Sequence, residues 1–223
     1  MSGLPTTPTH GADLRRLIAI VPVRTLEGAK SRLGGTLDAE ERQDLVRLLL
    51  SRTVLAAGQV PAIESVVVVS PDPAILALAS GDGATPLRQS GEGLNEGLQQ
   101  AVTWAQAQGA SAILVLAGDL PSVSADSIDE IVTSAAAAAS PERALVVVVP
   151  DRHGVGTNAL LLSPPDVIRF AFGTDSRVAH EAAARAVNAL SLEVDGPLAL
   201  DLDLPEDLTL AEERGLLDPA HGG

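Results

Sequence analysis

The chain has 223 residues, 46% of them hydrophobic but only 1% aromatic, with no cysteine and a formal net charge of −14. That length suits one α/β domain, and the hydrophobic content excludes a disordered protein. The charge argues against a nucleic-acid or anionic-membrane binder, and the missing thiols exclude disulfides and thiolate metal sites.

With so few aromatics the core must be aliphatic, which fits strands buried on both faces of a mostly parallel sheet. Residues 1–16 are polar, lack the charged-then-apolar order of a signal peptide, and read as a flexible tail. No apolar run is long enough to span a bilayer, so a cytoplasmic protein is expected. The run 17–23 predicts a buried strand, followed by the loop RTLEGAKSRLGG. Residues 38–57 have helical periodicity and an acidic first turn. A strand is expected over 66–70, a short helix over 73–79, then a Gly-rich turn and a helix over 93–108. A strand over 112–119, an Ala-rich helix over 124–139 and a strand over 144–150 follow. Beyond the loop DRHGVGTN lie an apolar run, a helix over 175–188, a strand over 189–194, an extended segment over 198–204 and a helix from Thr209 to Gly215. This alternation implies crossover units in one Rossmann-like α/β sandwich of three layers, spanning 17–215, with a short tail over 216–223. Ligands of such sheets bind at the carboxyl ends of the strands, so the residues just after each aliphatic run carry the functional signal.

Gly28-Ala29-Lys30-Ser31 lacks the spacing of a P-loop, and Gly91, Gly93 and Gly97 do not make a dinucleotide fingerprint. The loop after the first strand is more informative. Arg24, Lys30 and Arg32 place three of the fifteen cationic residues within nine positions, and Lys30 is the chain's single lysine. Such a loop can fold its N–H groups and cations around a triphosphate, or it can be a solvated surface loop. Asp119 leaves the strand 112–119 where a carboxylate could hold Mg2+, or could cap the turn before Pro121. Asp201 and Asp203 project to one side of an extended segment, around a cation or simply toward solvent, while Asp207 reads as a helix-start residue. Thr157 and Asn158 offer neutral hydrogen-bonding groups beside a Gly-x-Gly loop. The segment Phe172-Gly173-Thr174-Asp175-Ser176 opens a helix whose free N–H groups suit an anion. Phe170 and Phe172 read as core anchors, and His153 and His180, without metal-ligand spacing, as structural.

Taken in order, P-V-R-x(5)-K-S-R-L, G-L-N, G-D-L-P, D-x-x-G-x-G-T-N-A-L, F-G-x-x-S and D-x-D-x-P-E-D-L run from about residue 17 to 210. The series resembles the guanylyltransferases of coenzyme F-420 biosynthesis, which join GMP from GTP to 2-phospho-L-lactate or phosphoenolpyruvate and release pyrophosphate. The resemblance implies a nucleotide-diphospho-sugar-transferase-like domain using Mg2+, or Mn2+ in its place. It implies that Arg24, Lys30 and Arg32 line the triphosphate and act in catalysis with Asp119. It puts Gly93 and Asn95 near the nucleoside, and Asp119, Asp201 and Asp203 on the metal. Thr157, Gly173 and Ser176 would bind the acceptor. The Ala- and Arg-rich, Lys-poor composition fits a GC-rich bacterial genome and leans the expectation toward phosphoenolpyruvate. Two alternatives stay open: a transferase of the same fold using a sugar phosphate or a molybdenum cofactor precursor, and a non-catalytic nucleotide-binding regulator. Assembly is left open between monomer and homodimer.

Overall fold

The computed structural model describes residues 11–217. Seven strands form one sheet: β1 (Leu17–Pro22), β2 (Ile63–Ser70), β3 (Thr85–Arg88), β4 (Ala112–Leu116), β5 (Leu145–Pro150), β6 (Thr157–Ser163) and β7 (Leu190–Glu193). Their order is β3-β2-β1-β4-β6-β5-β7. Only β6 runs against its neighbours, pairing antiparallel with β4 and β5. The helices are α1 (Ala39–Gln59), α2 (Pro73–Gly81), α3 (Leu94–Ala107), α4 (Ala125–Ala138), α5 (Ser176–Ala186) and α6 (Pro205–Glu213).

Alternation along the strands divides the core between the two faces. Leu17, Ala19 and Val21 face α1, α2 and α4 together with Val66, Val68, Leu114, Leu145 and Leu161. Ile18 and Ile20 face α3 and α5 together with Val67, Ile113, Val146 and Leu160. Both faces of the central strands are therefore dry, as the aliphatic runs predict. A third cluster joins α1 to α6 through Leu45, Leu49, Leu200, Leu202 and Leu208. Phe170 and Phe172 are only partly buried, packed on the α3/α5 face.

Several helix starts follow from local chemistry. Asp38 accepts from the N–H groups of Glu40 and Glu41, while Glu41 bonds back to Asp38 N. Ser124 and Ser127 make the equivalent pair on α4. Asp72 caps α2 at Ala74 N, and its other oxygen accepts from Leu26 N at 2.9 Å, so one carboxylate also anchors the loop after β1.

Four expectations need correction. The supposed Gly-rich turn contains β3, a four-residue edge strand with Pro86 and little burial, too short and exposed for a periodic signal. The extended segment expected over 198–204 opens instead in a 3-10 turn, Pro197–Ala199, and continues as an irregular stretch. α6 begins at Pro205, four residues earlier than expected, because proline suits the first helical position and Asp207 accepts from Asp203 N and Leu204 N at 3.0 and 2.6 Å. The tail expected over 1–16 is anchored over its second part: Ala12 N bonds Ser140 O at 2.8 Å, and Asp13 N bonds Ser163 Oγ at 2.8 Å. Residues 1–10 lie outside the described residues. At the other end Leu216 and Leu217 pack on the α1/α6 cluster, and residues 218–223 lie outside the described residues.

Candidate active site

The chain runs outward from β1 to β2 and β3, then returns to place β4 on the other side of β1. This reversal puts the loops after β1 and β4 side by side, at the kind of crevice where open α/β sheets bind ligands. Gly118 permits the approach, since a Cβ there would meet Val23 Cγ2 at 3.0 Å. Because β6 is antiparallel, its first residue, Thr157, reaches the same edge, paired with Pro150 at the end of β5.

On the first side of the crevice stand three carboxylates. Asp119, Asp201 and Asp203 each present an oxygen, all within 4.8 Å of one another. The arrangement is built by backbone and core. Leu202 N donates to Asp119 O at 3.2 Å, and burial of Leu200 and Leu202 turns the alternate residues Asp201 and Asp203 outward together. Asn158 Nδ2 holds the preceding turn through Leu198 O and Ala199 O, at 2.9 and 3.0 Å. Burial, reinforced by the charges of Asp119 and Asp203, pushes the Asp201 carboxyl up to about 6.

Lys30 enters this cluster, its ammonium bonded to Asp119 and, at 2.9 Å, to Asp203 Oδ1. Its side chain is only 10% exposed, and its backbone adopts the left-handed conformation with φ 50°. Burial alone would lower its pKa, but the charges of Asp119 and Asp203 outweigh that effect and raise it. Arg32 lies at the rim, 3.8 Å from Asp203 Oδ2 and largely exposed, and Arg24 is exposed. Sequence reasoning missed Arg42, which reaches from α1 to Ala29 O and Leu37 O at 3.3 and 2.7 Å and so braces the Lys30 loop.

The second side is neutral. Thr157 and Ser176, both buried, lie with their hydroxyls 3.2 Å apart, and His180 Nδ1 is 3.1 Å from Thr157 Oγ1. Gly173 is exposed at φ 132°, a backbone state that favours glycine, in the turn that opens α5. Asn95, at the start of α3, does not stand free beside Gly93. Its amide donates to Phe172 O at 3.1 Å and accepts from Phe172 N at 3.0 Å, so the side chain grips the loop that carries Gly173.

Two arginines brace the loop between β5 and β6, and neither was singled out by the sequence reading. Arg177 Nε donates to Gly154 O at 2.6 Å, and its guanidinium pairs with Glu181 and Glu193. Arg152 pairs with the buried Asp207 at 2.6 Å, which ties this loop to the start of α6. The pairing of Arg177 with Glu181 has ordinary i,i+4 spacing, but the contacts to Gly154, Glu193 and Asp207 arise only in three dimensions, with partners too distant in sequence to suggest them.

A family model described as guanylyl transferase CofC like matches residues 17–212. The chain belongs to that family. It is thus a nucleotidyltransferase, as the motif series implied. A phosphoenolpyruvate guanylyltransferase of Sphaerobacter thermophilus is 45% identical over 86% of this chain and 90% of its own length. One of Rubrobacter xylanophilus is 41% identical over 89% of this chain and 95% of its own. Among solved structures, a nucleotide-diphospho-sugar transferase homologue from Desulfovibrio desulfuricans G20 superposes with a TM-score of 0.71 at 16% identity, covering 91% of this chain and 89% of that one. At that identity the match supports the expected fold. No helix among the described residues is long and apolar enough to cross a membrane.

Proposed function

We propose that this chain transfers GMP from GTP to phosphoenolpyruvate, releasing pyrophosphate, in the biosynthesis of coenzyme F-420. The acceptor's phosphate oxygen attacks the α-phosphorus of GTP, a new P–O–P bridge forms, and the bond to the β-phosphate oxygen breaks. No protein nucleophile is needed, so the side chains have to position two polyanions and offset their charge. The observation that carries this reading is the meeting, at one sheet edge, of a three-carboxylate cluster with Lys30 and a neutral hydroxyl pair.

The carboxylates suit a hard divalent cation, Mg2+ or Mn2+, which prefers oxygen donors. Three of them crowd within 4.8 Å while the cations near them are Lys30 and the exposed Arg32, so the cluster keeps a negative excess. Asp119, Asp201 and Asp203 would hold the metal, which would offset phosphate charge. Lys30 and Arg32 then meet the triphosphate with Arg24 at the mouth of the loop. Gly93 lies toward the nucleoside, and Asn95 contributes by fixing the neighbouring loop. Thr157, Gly173 and Ser176 receive the phosphoenolpyruvate, through backbone N–H and hydroxyl groups sized for a small acid. That the Sphaerobacter and Rubrobacter relatives bear the name phosphoenolpyruvate guanylyltransferase supports that acceptor over 2-phospho-L-lactate.

The test is pyrophosphate release from each of the four nucleoside triphosphates, offered with phosphoenolpyruvate, 2-phospholactate, 3-phosphoglycerate or a sugar phosphate. GTP with phosphoenolpyruvate should give the highest kcat/KM. A sugar phosphate as the best acceptor, or no release with any pair, would overturn the proposal.

A further inference from the structure

His180 has no metal-ligand spacing, but its two ring nitrogens define its chemistry. The residue is fully buried on α5, with its ring edge-on to Phe172 at a centroid distance of 4.9 Å. Nε2 lies 3.0 Å from the backbone N of Ala171. A peptide N–H can only donate, so Nε2 accepts and carries no proton. A neutral imidazole has one N–H, which therefore resides on Nδ1. Nδ1 faces Thr157 Oγ1 at 3.1 Å and donates to it.

Counting protons then fixes the polarity of the hydroxyl pair. His180, Thr157 and Ser176 share two contacts, His180 to Thr157 and Thr157 to Ser176. They bring three protons: one from the ring and one from each hydroxyl. The ring proton fills the first contact, and one hydroxyl proton fills the second, whichever hydroxyl supplies it. One hydroxyl proton remains, and the described residues offer it no other acceptor. With the ring proton on Nε2 instead, Thr157 would donate to the ring and Ser176 to Thr157. No proton would remain, and the pair would turn a lone pair toward an incoming oxyanion.

We propose that His180 is a positioning residue which, by accepting the Ala171 N–H, commits its own proton to Thr157 and leaves the Thr157–Ser176 pair one proton to donate to an oxyanion of the acceptor. This rests on the reading of Thr157 and Ser176 as acceptor ligands. The same contact fixes the Ala171 peptide, while Asn95 fixes the next one at Phe172, so the turn carrying Gly173 is held at two consecutive residues. Burial holds the ring neutral, with its pKa lowered to about 4. A second ring proton would set two donors against each other at Ala171.

Ring 15N chemical shifts of the wild-type protein, with the His180 signals assigned by their loss in a variant, report the tautomer without any substrate. The expected result is a protonated Nδ1 and a bare Nε2 at neutral pH. Protonation at Nε2, or at both nitrogens, would overturn the proposal. Two variants then separate the two contacts. Asparagine can place an N–H2 near the Nδ1 position, and glutamine a carbonyl near the Nε2 position. His180→Gln should raise KM for phosphoenolpyruvate about 10- to 100-fold, the scale of a lost hydrogen bond to a charged group, while KM for GTP stays within about twofold. His180→Asn should recover a substantial part of that loss. An unchanged phosphoenolpyruvate KM in His180→Gln, or equal rises for both substrates, would overturn it. If wild-type protein turns over no phosphoenolpyruvate at all, the acceptor assignment fails instead, and the tautomer result stands apart from that failure.

Discussion

The two sides of the crevice differ in how they are held. Asp119, Asp201, Asp203 and Lys30 form a charged cluster, with side chains from 10% exposed at Lys30 to 49% at Asp203. Thr157, Ser176 and His180 form a neutral one, with no residue more than 7% exposed. In the proposed roles, charges that meet a metal and a triphosphate stay near water, where like-charged neighbours are tolerable and ligands can enter. Hydroxyls proposed to select one small acid would gain from burial, because a fixed donor in a dry setting discriminates by geometry. Substitutions on the charged side should therefore strike turnover, and those on the neutral side acceptor use.

The largest effect is expected at the carboxylates. Asp119→Asn should lower kcat at least about 100-fold, the scale for removing one group aimed at developing charge, with the fold kept. Excess EDTA should abolish wild-type turnover and excess Mg2+ restore it. Circular dichroism and thermal melting check the fold, and full activity in EDTA would remove the metal from the account.

Next comes Lys30→Arg, which keeps the charge but puts a planar fork where a compact ammonium fits between Asp119 and Asp203. A fall of about 10- to 100-fold in kcat/KM for GTP is expected, from contacts to charged groups made in the wrong geometry. Near-normal kinetics would show that this side needs only charge.

On the neutral side, Thr157→Val removes the hydroxyl with little change in volume. It should cost roughly 1.5–3 kcal/mol in kcat/KM for phosphoenolpyruvate, and little in GTP binding. His180 has, besides its effect on acceptor use, a separate effect on stability. Its pKa is depressed by burial from 6.5 to about 4. The unfolded chain thus takes up the proton first as pH falls. Stability from this residue is intact above about pH 6.5 and declines as pH drops toward 4, by about 3 kcal/mol in all. Urea denaturation of wild type and His180→Gln at pH 7 and pH 4.5 should show the wild type losing more. Parallel losses would place the ring in a more solvated setting.

These two sides also differ in what the sequence disclosed. Asp119, Asp201, Asp203 and Lys30 each follow or flank an aliphatic run, and strand-end carboxylates near a lone lysine are conspicuous in so Arg-biased a chain. The crossover alternation likewise made the sheet legible, apart from β3, whose four residues, three of them exposed and one of those Pro86, carry no period. The reversed direction of β6 was hidden, because an apolar run has no polarity along the chain. So was the engagement of Asn95 with Phe172, 77 residues away. Thr157 and Ser176 were visible as hydroxyls beside glycines, yet their mutual bond and their link to His180 arise only when β6 and α5 pack.

The central claim, that one side serves GTP and the other the acceptor, is tested most directly by a crossed measurement on two variants. GTP affinity without acceptor, by titration calorimetry in Mg2+, is set beside kcat/KM for phosphoenolpyruvate, for Lys30→Arg and Thr157→Val. The account predicts that Lys30→Arg weakens GTP binding, whereas Thr157→Val leaves it within about twofold and lowers kcat/KM for phosphoenolpyruvate about 10- to 100-fold. Loss of GTP binding in Thr157→Val with Lys30→Arg unaffected would contradict it and exchange the two sides.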